Sequence, residues 1–175
     1  SSSSRRELRN VVARRRWFSA TKQSPRFTMN NYALRSARES ESRQIKELIR
    51  AVGINPMGLD WKRFIVAVDA KDRVIGTGQL KPHGADLLEL SSIAVAPAHR
   101  GEGIARAVIE RLLKDGPRPL YLTCVSTMGL MYEKFGFVRL EHKNMPRYFQ
   151  RLSKVANVML NFTREGEYLL VMKLQ

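Results

Sequence analysis

Hydrophobic and polar residues follow two different periods from Tyr32 to the C-terminus. Short apolar or alternating runs predict strands, and apolar residues spaced three to four apart predict helices. The predicted strands span residues 32–37, 63–69, 73–80, 87–95, 120–125, 137–141 and 167–174. The predicted helices span residues 39–53, 105–115, 128–136 and 147–162. Strands that alternate with helices over 175 residues predict one α/β domain.

The stretch VAPAHRGEGIARAV, residues 95–108, connects a predicted strand to a predicted helix. Pro97 cannot donate to a strand ladder, so the strand should end there. Gly101 and Gly103 allow close approach of the backbone to a ligand at the start of the helix. Free N–H groups and the helix dipole favour an anion such as a phosphate at this place. A tight strand-to-helix turn without a ligand is the alternative.

Two motifs resemble those of the GNAT acyltransferase superfamily. SIAVAPAHRGEGIARAVIERLL contains the form Arg/Gln-x-x-Gly-x-Gly/Ala as Arg100, Gly103 and Ala105, and YEKFGF, residues 132–137, resembles the second landmark of the family. The resemblance covers about residues 30–141. It implies a mixed, mainly antiparallel central sheet flanked by helices, and acetyl-CoA as the co-substrate that acetylates an amine.

The resemblance also implies which residues contact acetyl-CoA. The pyrophosphate would lie on the loop and first helical turn, and the pantetheine and thioester would follow the preceding strand. The cofactor-binding residues so implied are Arg100, Gly101, Glu102, Gly103, Ile104, Ala105, Ile93, Ala94 and Val95. Relatives often have an asparagine where Val125 stands, and Ser126 or Thr127 would take its place.

Acetyl transfer to an amine needs a proton acceptor and a proton donor. Strand alternation predicts that Glu89 shares a face with Ile93 and Val95, an unusual place for a carboxylate. The resemblance implies that Glu89 is the base; a solvated carboxylate, with water as the base, is the alternative. It also implies that Tyr132 protonates the leaving thiolate; simple packing beside Phe135 is the alternative.

Other polar residues are predicted to have no chemical role. His83, His99 and His142 are expected to be surface histidines, and Cys124 is expected to be a small core residue. No spacing of metal ligands is visible in the sequence, so no metal is predicted.

The segment after residue 141 is longer than the family minimum. Its predicted helix has an apolar stripe formed by Tyr148, Leu152, Val155, Met159 and Phe162. The helix either packs on the sheet or forms a wall of the acceptor site. The basic residues around its start either favour an acidic acceptor or solvate the surface; they are Lys143, Arg147, Arg151 and Lys154.

Nearly half of the net charge of +15 lies in the first 28 residues. Residues 1–28 contain eight Lys or Arg residues and one acidic residue. Residues 29–175 contain twenty-three Lys or Arg residues and fifteen acidic residues. We therefore predict an N-terminal extension over 1–28 and the acetyltransferase domain over 29–175. The extension resembles a mitochondrial or plastid transit segment in composition; a solvated arm of a cytoplasmic protein, or an arm for nucleic acid or membrane, are alternatives.

The resemblance implies an acetyl-CoA-dependent N-acetyltransferase that acts on an amine of a protein, peptide or small molecule, and the composition predicts an intracellular protein without a membrane span. A catalytically inactive module that binds acetyl-CoA, RNA or a partner protein is the alternative. A plain nucleic-acid-binding protein is disfavoured, since the basic residues are not interleaved with aromatics. Monomer and homodimer both stay open.

Overall fold

The computed structural model describes residues 26–27, 31–163 and 166–175. One sheet of eight strands forms its centre, in the order β1-β2-β3-β4-β5-β6-β8-β7. The strands are β1 (Arg26–Phe27), β2 (Tyr32–Ser36), β3 (Phe64–Asp69), β4 (Val74–His83), β5 (Leu87–Val95), β6 (Leu120–Val125), β7 (Val138–Arg139) and β8 (Leu169–Leu174). The α-helices are α1 (Ser42–Ala51), α2 (Ile104–Asp115), α3 (Gly129–Glu133) and α4 (Arg147–Thr163).

All neighbouring strands in this sheet are antiparallel except β5 and β6, which are parallel. The helices cover both faces. Helix α1 packs on one face over Val66 and Ala94, and α4 packs on the same face over Tyr121 and Val171. Helices α2 and α3 pack on the opposite face, in the largest core cluster. The predicted mixed, mainly antiparallel α/β fold is confirmed.

Helix α2 lies unusually close to the sheet because β4 carries glycines beneath it. A Cβ atom added to Gly78 would come within 2.6 Å of Ile93 Cδ1 and 2.7 Å of Val108 Cγ1. A Cβ atom at Gly76 would come within 2.4 Å of Ile104 Cγ2. The two glycines therefore fix how closely the beginning of α2 approaches β4 and β5.

Strand β4 is longer than the sequence predicts. We expected a turn over residues 81–86, since Pro82 and Gly84 usually interrupt strands. The strand instead runs to His83, with Pro82 paired to Leu88 of β5. Pairing with β3 ends at Gln79, so the segment beyond it is an edge, where proline is tolerated. The expected strand over 137–141 is shorter, Val138–Arg139.

The extent of α4 agrees with the prediction, but its buried face does not. Phe149 and Ser153 are buried, whereas Tyr148 and Val155 of the predicted stripe are 39% and 62% exposed. The reason is that aromatic and β-branched residues occur on more than one side of this helix, so their spacing alone does not indicate which side is buried. Met159 and Phe162, also in the stripe, have side chains outside the described residues.

The predicted N-terminal extension lies outside the described residues, apart from the two residues of β1, whose backbone pairs with Ala33 and Leu34 of β2. Within the described part of the chain, no helix is long and apolar enough to cross a membrane.

Candidate active site

Strands β5 and β6 separate shortly after they meet. Their ladder contains two pairs, Glu89 with Tyr121 and Leu90 with Leu122. Beyond Leu90, the β6-facing edge of β5 has no strand partner among the described residues. A cavity of about 310 Å³ lies at this split. It is lined by Ile54, Asn55, Met57, Lys81, Glu89, Leu90, Ser91, Ser92, Ile93, Thr123, Tyr132, Tyr148, Leu152, Ala156 and Leu169.

A β-bulge in β5 shapes the edge of this cavity. Thr77 pairs with Ala94 and Gln79 pairs with Ser91, so Gly78 opposes two residues of β5. Ser92 has φ 56°, which is uncommon for a residue with a side chain. The Thr77 hydroxyl donates to the Ser92 carbonyl at 3.0 Å, and Gln79 Nε2 donates to the Ser92 hydroxyl at 2.9 Å. These buried bonds hold the bulge in place.

The bulge changes which side chains share a face. We expected Glu89, Ile93 and Val95 on one face by simple alternation. The structure instead packs Ile93 and Val95 into the core under α2, while Ala94 packs under α1. The extra residue of the bulge reverses the alternation after Ser92. The residues predicted to contact the thioester therefore offer their backbone at the open edge, with their side chains turned into the two cores.

Glu89 is buried, with 6% of its surface exposed. Its Oε1 accepts a hydrogen bond from the Thr123 hydroxyl at 2.8 Å. Its Oε2 lies 2.6 Å from Nε2 of His83, and that imidazole donates when Glu89 is ionised. The buried carboxylate thus has a polar partner on each oxygen, as burial of a charge requires.

The prediction that His83 is a surface residue is wrong. Its side chain is only 10% exposed, because β4 continues through residue 83 and brings it beside Glu89. The sequence gives no local signal of this pairing, since it depends on the register of β4 on β5. His99 is partly exposed and pairs with Glu102 at 3.3 Å, and His142 is exposed, as predicted.

The beginning of α4 closes one side of the site. The Tyr148 ring stacks on His83 with centroids 4.0 Å apart, and Phe149 meets the same imidazole edge-on at 5.9 Å. Burial and the nearby charge of Glu89 raise the pKa of Tyr148. Leu152 and Ala156 continue the same wall of the cavity. Helix α4 therefore packs on the sheet and also forms a wall of the cavity.

Tyr132 lines the same cavity from α3. It is buried, and its ring meets Phe137 edge-on at 6.3 Å. Burial, with a smaller contribution from Cys124, raises the pKa of Tyr132 to about 12. The phenol therefore stays protonated at neutral pH and can act as a proton donor. Burial likewise raises the pKa of Cys124 to about 11, which disfavours a thiolate nucleophile.

The loop before α2 leaves open space for a ligand. Gly101 and Gly103 have φ of 85° and 78°, and a Cβ atom at either would meet no atom within 4 Å. The first N–H groups of a helix have no partner within the helix. Those from Gly101 to Ala105 have no acceptor among the described residues. Ile104 is buried, so it offers its backbone to this space, and Arg100 and Glu102 are exposed beside it.

Ser126 lies in a 3₁₀ turn directly after β6. Its hydroxyl accepts a hydrogen bond from the Tyr168 N–H at 3.4 Å, and its own N–H donates to the Tyr168 carbonyl at 2.8 Å. The residue is thus fixed to the start of β8 and retains a hydroxyl donor. Its contact with a cofactor stays a prediction.

No group of three or more His, Cys, Asp or Glu that could hold a metal ion occurs within the part of the chain that the structure describes.

A family model for the acetyltransferase (GNAT) domain matches residues 60–139, which contain the cavity strands, the glycine loop and α3. Mycothiol acetyltransferase from Rhodococcus jostii strain RHA1 is 36% identical over 63 residues. This alignment spans 36% of the present chain but only 20% of that enzyme.

Solved structures show the same fold. N-acetylglutamate synthase from Neisseria gonorrhoeae, in complex with coenzyme A and N-acetyl-glutamate, has a TM-score of 0.60 at 18% identity. The match covers 82% of this chain and 35% of that one. Rv2747 from Mycobacterium tuberculosis, solved in complex with CoA, has a TM-score of 0.59 at 23% identity, with 81% and 99% covered. Residues 60–139 thus match the GNAT acetyltransferase domain model, and the chain has the same fold as these solved structures.

Proposed function

We propose that the protein is an N-acetyltransferase that uses acetyl-CoA to acetylate an amine. The single observation that carries this proposal is that one strand, β5, connects a loop suited to phosphates with a cavity that contains a buried carboxylate. At its C-terminal end it leads to the open glycine loop, and at Glu89 it meets the cavity that Tyr132 also lines. Acetyl-CoA has the matching form, with anionic phosphates at one end and a reactive thioester at the other.

The loop and the edge of β5 fit this co-substrate. Backbone N–H groups from Gly101 to Ala105, with the helix dipole, would hold the pyrophosphate. Arg100 and Arg106 are exposed nearby and add positive charge. The unpaired edge from Ile93 to Val95 would bind the pantetheine arm and direct N–H groups at the thioester carbonyl. Ser126 lies across the split.

Acetyl-CoA supplies an acetyl group activated as a thioester. The amine nitrogen forms a bond to the carbonyl carbon, and the carbon–sulfur bond breaks. Glu89 receives the proton from the amine nitrogen, directly or through a water molecule. The hydroxyl of Tyr132 donates a proton to the departing sulfur. The products are an acetylated amine and free coenzyme A, and exchange with solvent restores both residues.

His83 assists Glu89 as a positioning residue. Its Nε2 holds Oε2 of the carboxylate, and stacking against Tyr148 fixes the ring. Thr123 fixes the other oxygen. A carboxylate with both oxygens held this way has one orientation toward the cavity, which is what a general base needs.

Release of free thiol from acetyl-CoA in the presence of a panel of amines tests this proposal, with mass spectrometry to identify an acetylated product. We expect thiol release that depends on both the amine and the enzyme, and that is lost in the Glu89→Gln, Tyr132→Phe double variant. Binding of acetyl-CoA without acetylation of any amino acid, monoamine, polyamine or peptide would contradict it and favour the inactive binding module.

A further inference from the structure

Two charged side chains line the cavity, and they are neighbours across the β4–β5 ladder. Lys81 and Glu89 are direct cross-strand partners, so their side chains leave the sheet on the same face, with Cβ atoms about 5 Å apart. Both line the same space. The proposed function uses Glu89 and leaves the ammonium of Lys81 without a role.

The partners of these two groups differ. Glu89 is bonded to His83 and Thr123, on the β6 side of the cavity. Lys81 extends the other way, and its Nζ donates to the Met57 carbonyl at 3.2 Å. Among the side chains that the structure describes, no carboxylate lies within 4 Å of that ammonium. An ammonium has three donors, so Lys81 keeps donors for an anionic ligand.

Apart from Glu89, no acidic side chain lines the cavity among the residues that the structure describes, and exposed basic residues lie on the nearby helix α4. The sequence of α4 contains Arg147, Arg151 and Lys154 but no Asp or Glu. The segment on the opposite side, residues 54–59, has no charged residue at all. A carboxylate on the Lys81 side of the cavity, away from Glu89, would be attracted by these positive charges.

We infer that the acceptor is a small amine that also carries a carboxylate, as an amino acid does. This inference rests on the proposed function and names the substrate class of the same site. The carboxylate of the acceptor binds the ammonium of Lys81, and this contact places the amino group over Glu89. Lys81 is then a specificity-determining residue that takes no part in proton transfer.

Matched acceptors test the inference. Each amino acid is compared with its carboxamide and with its decarboxylated amine, which keep the amino group and side chain but lack the anionic charge. We expect kcat/KM to be at least about tenfold higher for the carboxylate form, the scale of one good ionic contact. In Lys81→Met this preference should disappear, mainly through KM, while Lys81→Arg should retain part of it. Lys71→Met, exposed in the β3–β4 turn, is the matched control and should keep the full preference.

The controls separate failure of this inference from failure of the proposed function. Thermal unfolding and acetyl-CoA binding of Lys81→Met should equal those of the wild type, which shows that the fold and the cofactor site are intact. Preference of the wild type for carboxamides, decarboxylated amines, polyamines or peptides would overturn the inference and leave the acetyltransferase proposal standing. A carboxylate preference that survives in Lys81→Met would also overturn it. Calorimetric titration of an N-acetylated amino acid into both proteins gives a second readout, with weaker binding expected in the variant.

Discussion

At the scale of single residues, the site depends on how one buried carboxylate is held. The sequence already singled out Glu89, because a carboxylate inside an apolar strand pattern is unusual. His83 could not be found the same way, since it follows a proline and precedes a glycine, both typical of a turn. Only the pairing of β4 with β5 places its imidazole 2.6 Å from the carboxylate.

Glu89→Gln should lower kcat by about 10²-fold, the usual scale for general base catalysis, with acetyl-CoA binding unchanged. The loss should shrink as the pH rises, because more of the amine is then neutral without a base.

His83→Ala should lower kcat by a smaller factor. If His83 acts through Glu89, the double variant should be no slower than Glu89→Gln. Multiplicative effects of the two substitutions would show that His83 has a separate role, and Glu110→Gln on exposed α2 is the control.

Tyr132→Phe should lower turnover most with the poorest leaving group. A raised pKa of about 12 keeps the phenol protonated over the whole assay range, so Tyr132 itself should cause no alkaline decline below about pH 11. A thioester of a more acidic thiol needs no proton donor and should rescue the variant, but should leave Glu89→Gln impaired. Tyr168→Phe, at an exposed position just before β8, serves as the control. Equal impairment with both thioesters would exclude Tyr132 as the acid.

At the scale of elements, the sequence predicted where most strands and helices lie but not how they are placed against each other. Strands β5 and β6 begin and end where the periodicity indicates. The bulge at Ser92 escaped prediction because it is held by Thr77 and Gln79 from another strand. The buried side of α4 was not predicted because it depends on the surface of the sheet against which the helix packs. Local propensity determines where strands and helices begin and end, whereas strand register and the buried side of a helix depend on tertiary contacts.

The junction of β2 with α1 depends on a buried ion pair. The side chains of Arg35 and Glu41 are 8% and 4% exposed, and the two terminal guanidinium nitrogens of Arg35 donate to the two carboxylate oxygens of Glu41 at 2.6 and 2.9 Å. Glu41 also accepts from the Arg38 N–H at 2.6 Å. Glu41→Gln should lower the free energy of unfolding by about 2 kcal/mol, since it removes the buried one of the two carboxylates that pair with Arg35 and leaves only the more exposed Asp72, at 2.7 Å. Glu47→Gln, which removes an exposed pair to Arg43 at 3.7 Å, should cost less than about 0.5 kcal/mol. Urea unfolding of both variants decides this, and equal losses would contradict it.

At the scale of the whole molecule, the part of the chain that matches the GNAT domain model contains β5, the glycine loop and α3. The match to the family model ends at Arg139, whereas the cavity is also lined by α4, which begins at Arg147. The resemblance to the GNAT family could therefore be predicted from two motifs. The proposed acceptor class could not, because Lys81 lies far along the chain from Tyr148 and Leu152, and the three residues meet only in the fold.

The most direct test of the central claim is calorimetric titration of acetyl-CoA into the wild type and Gly103→Asp. Gly103 has φ 78° and open space around it, and aspartate tolerates this conformation and suits a helix N-cap, so the variant should fold. Its charge would meet the pyrophosphate, and Kd should rise at least about tenfold, or 1.4 kcal/mol. Gly84→Asp, with φ 70° in the β4–β5 turn and equally open, should bind like the wild type. Unchanged affinity in a folded Gly103→Asp, or no binding to the wild type, would contradict the account.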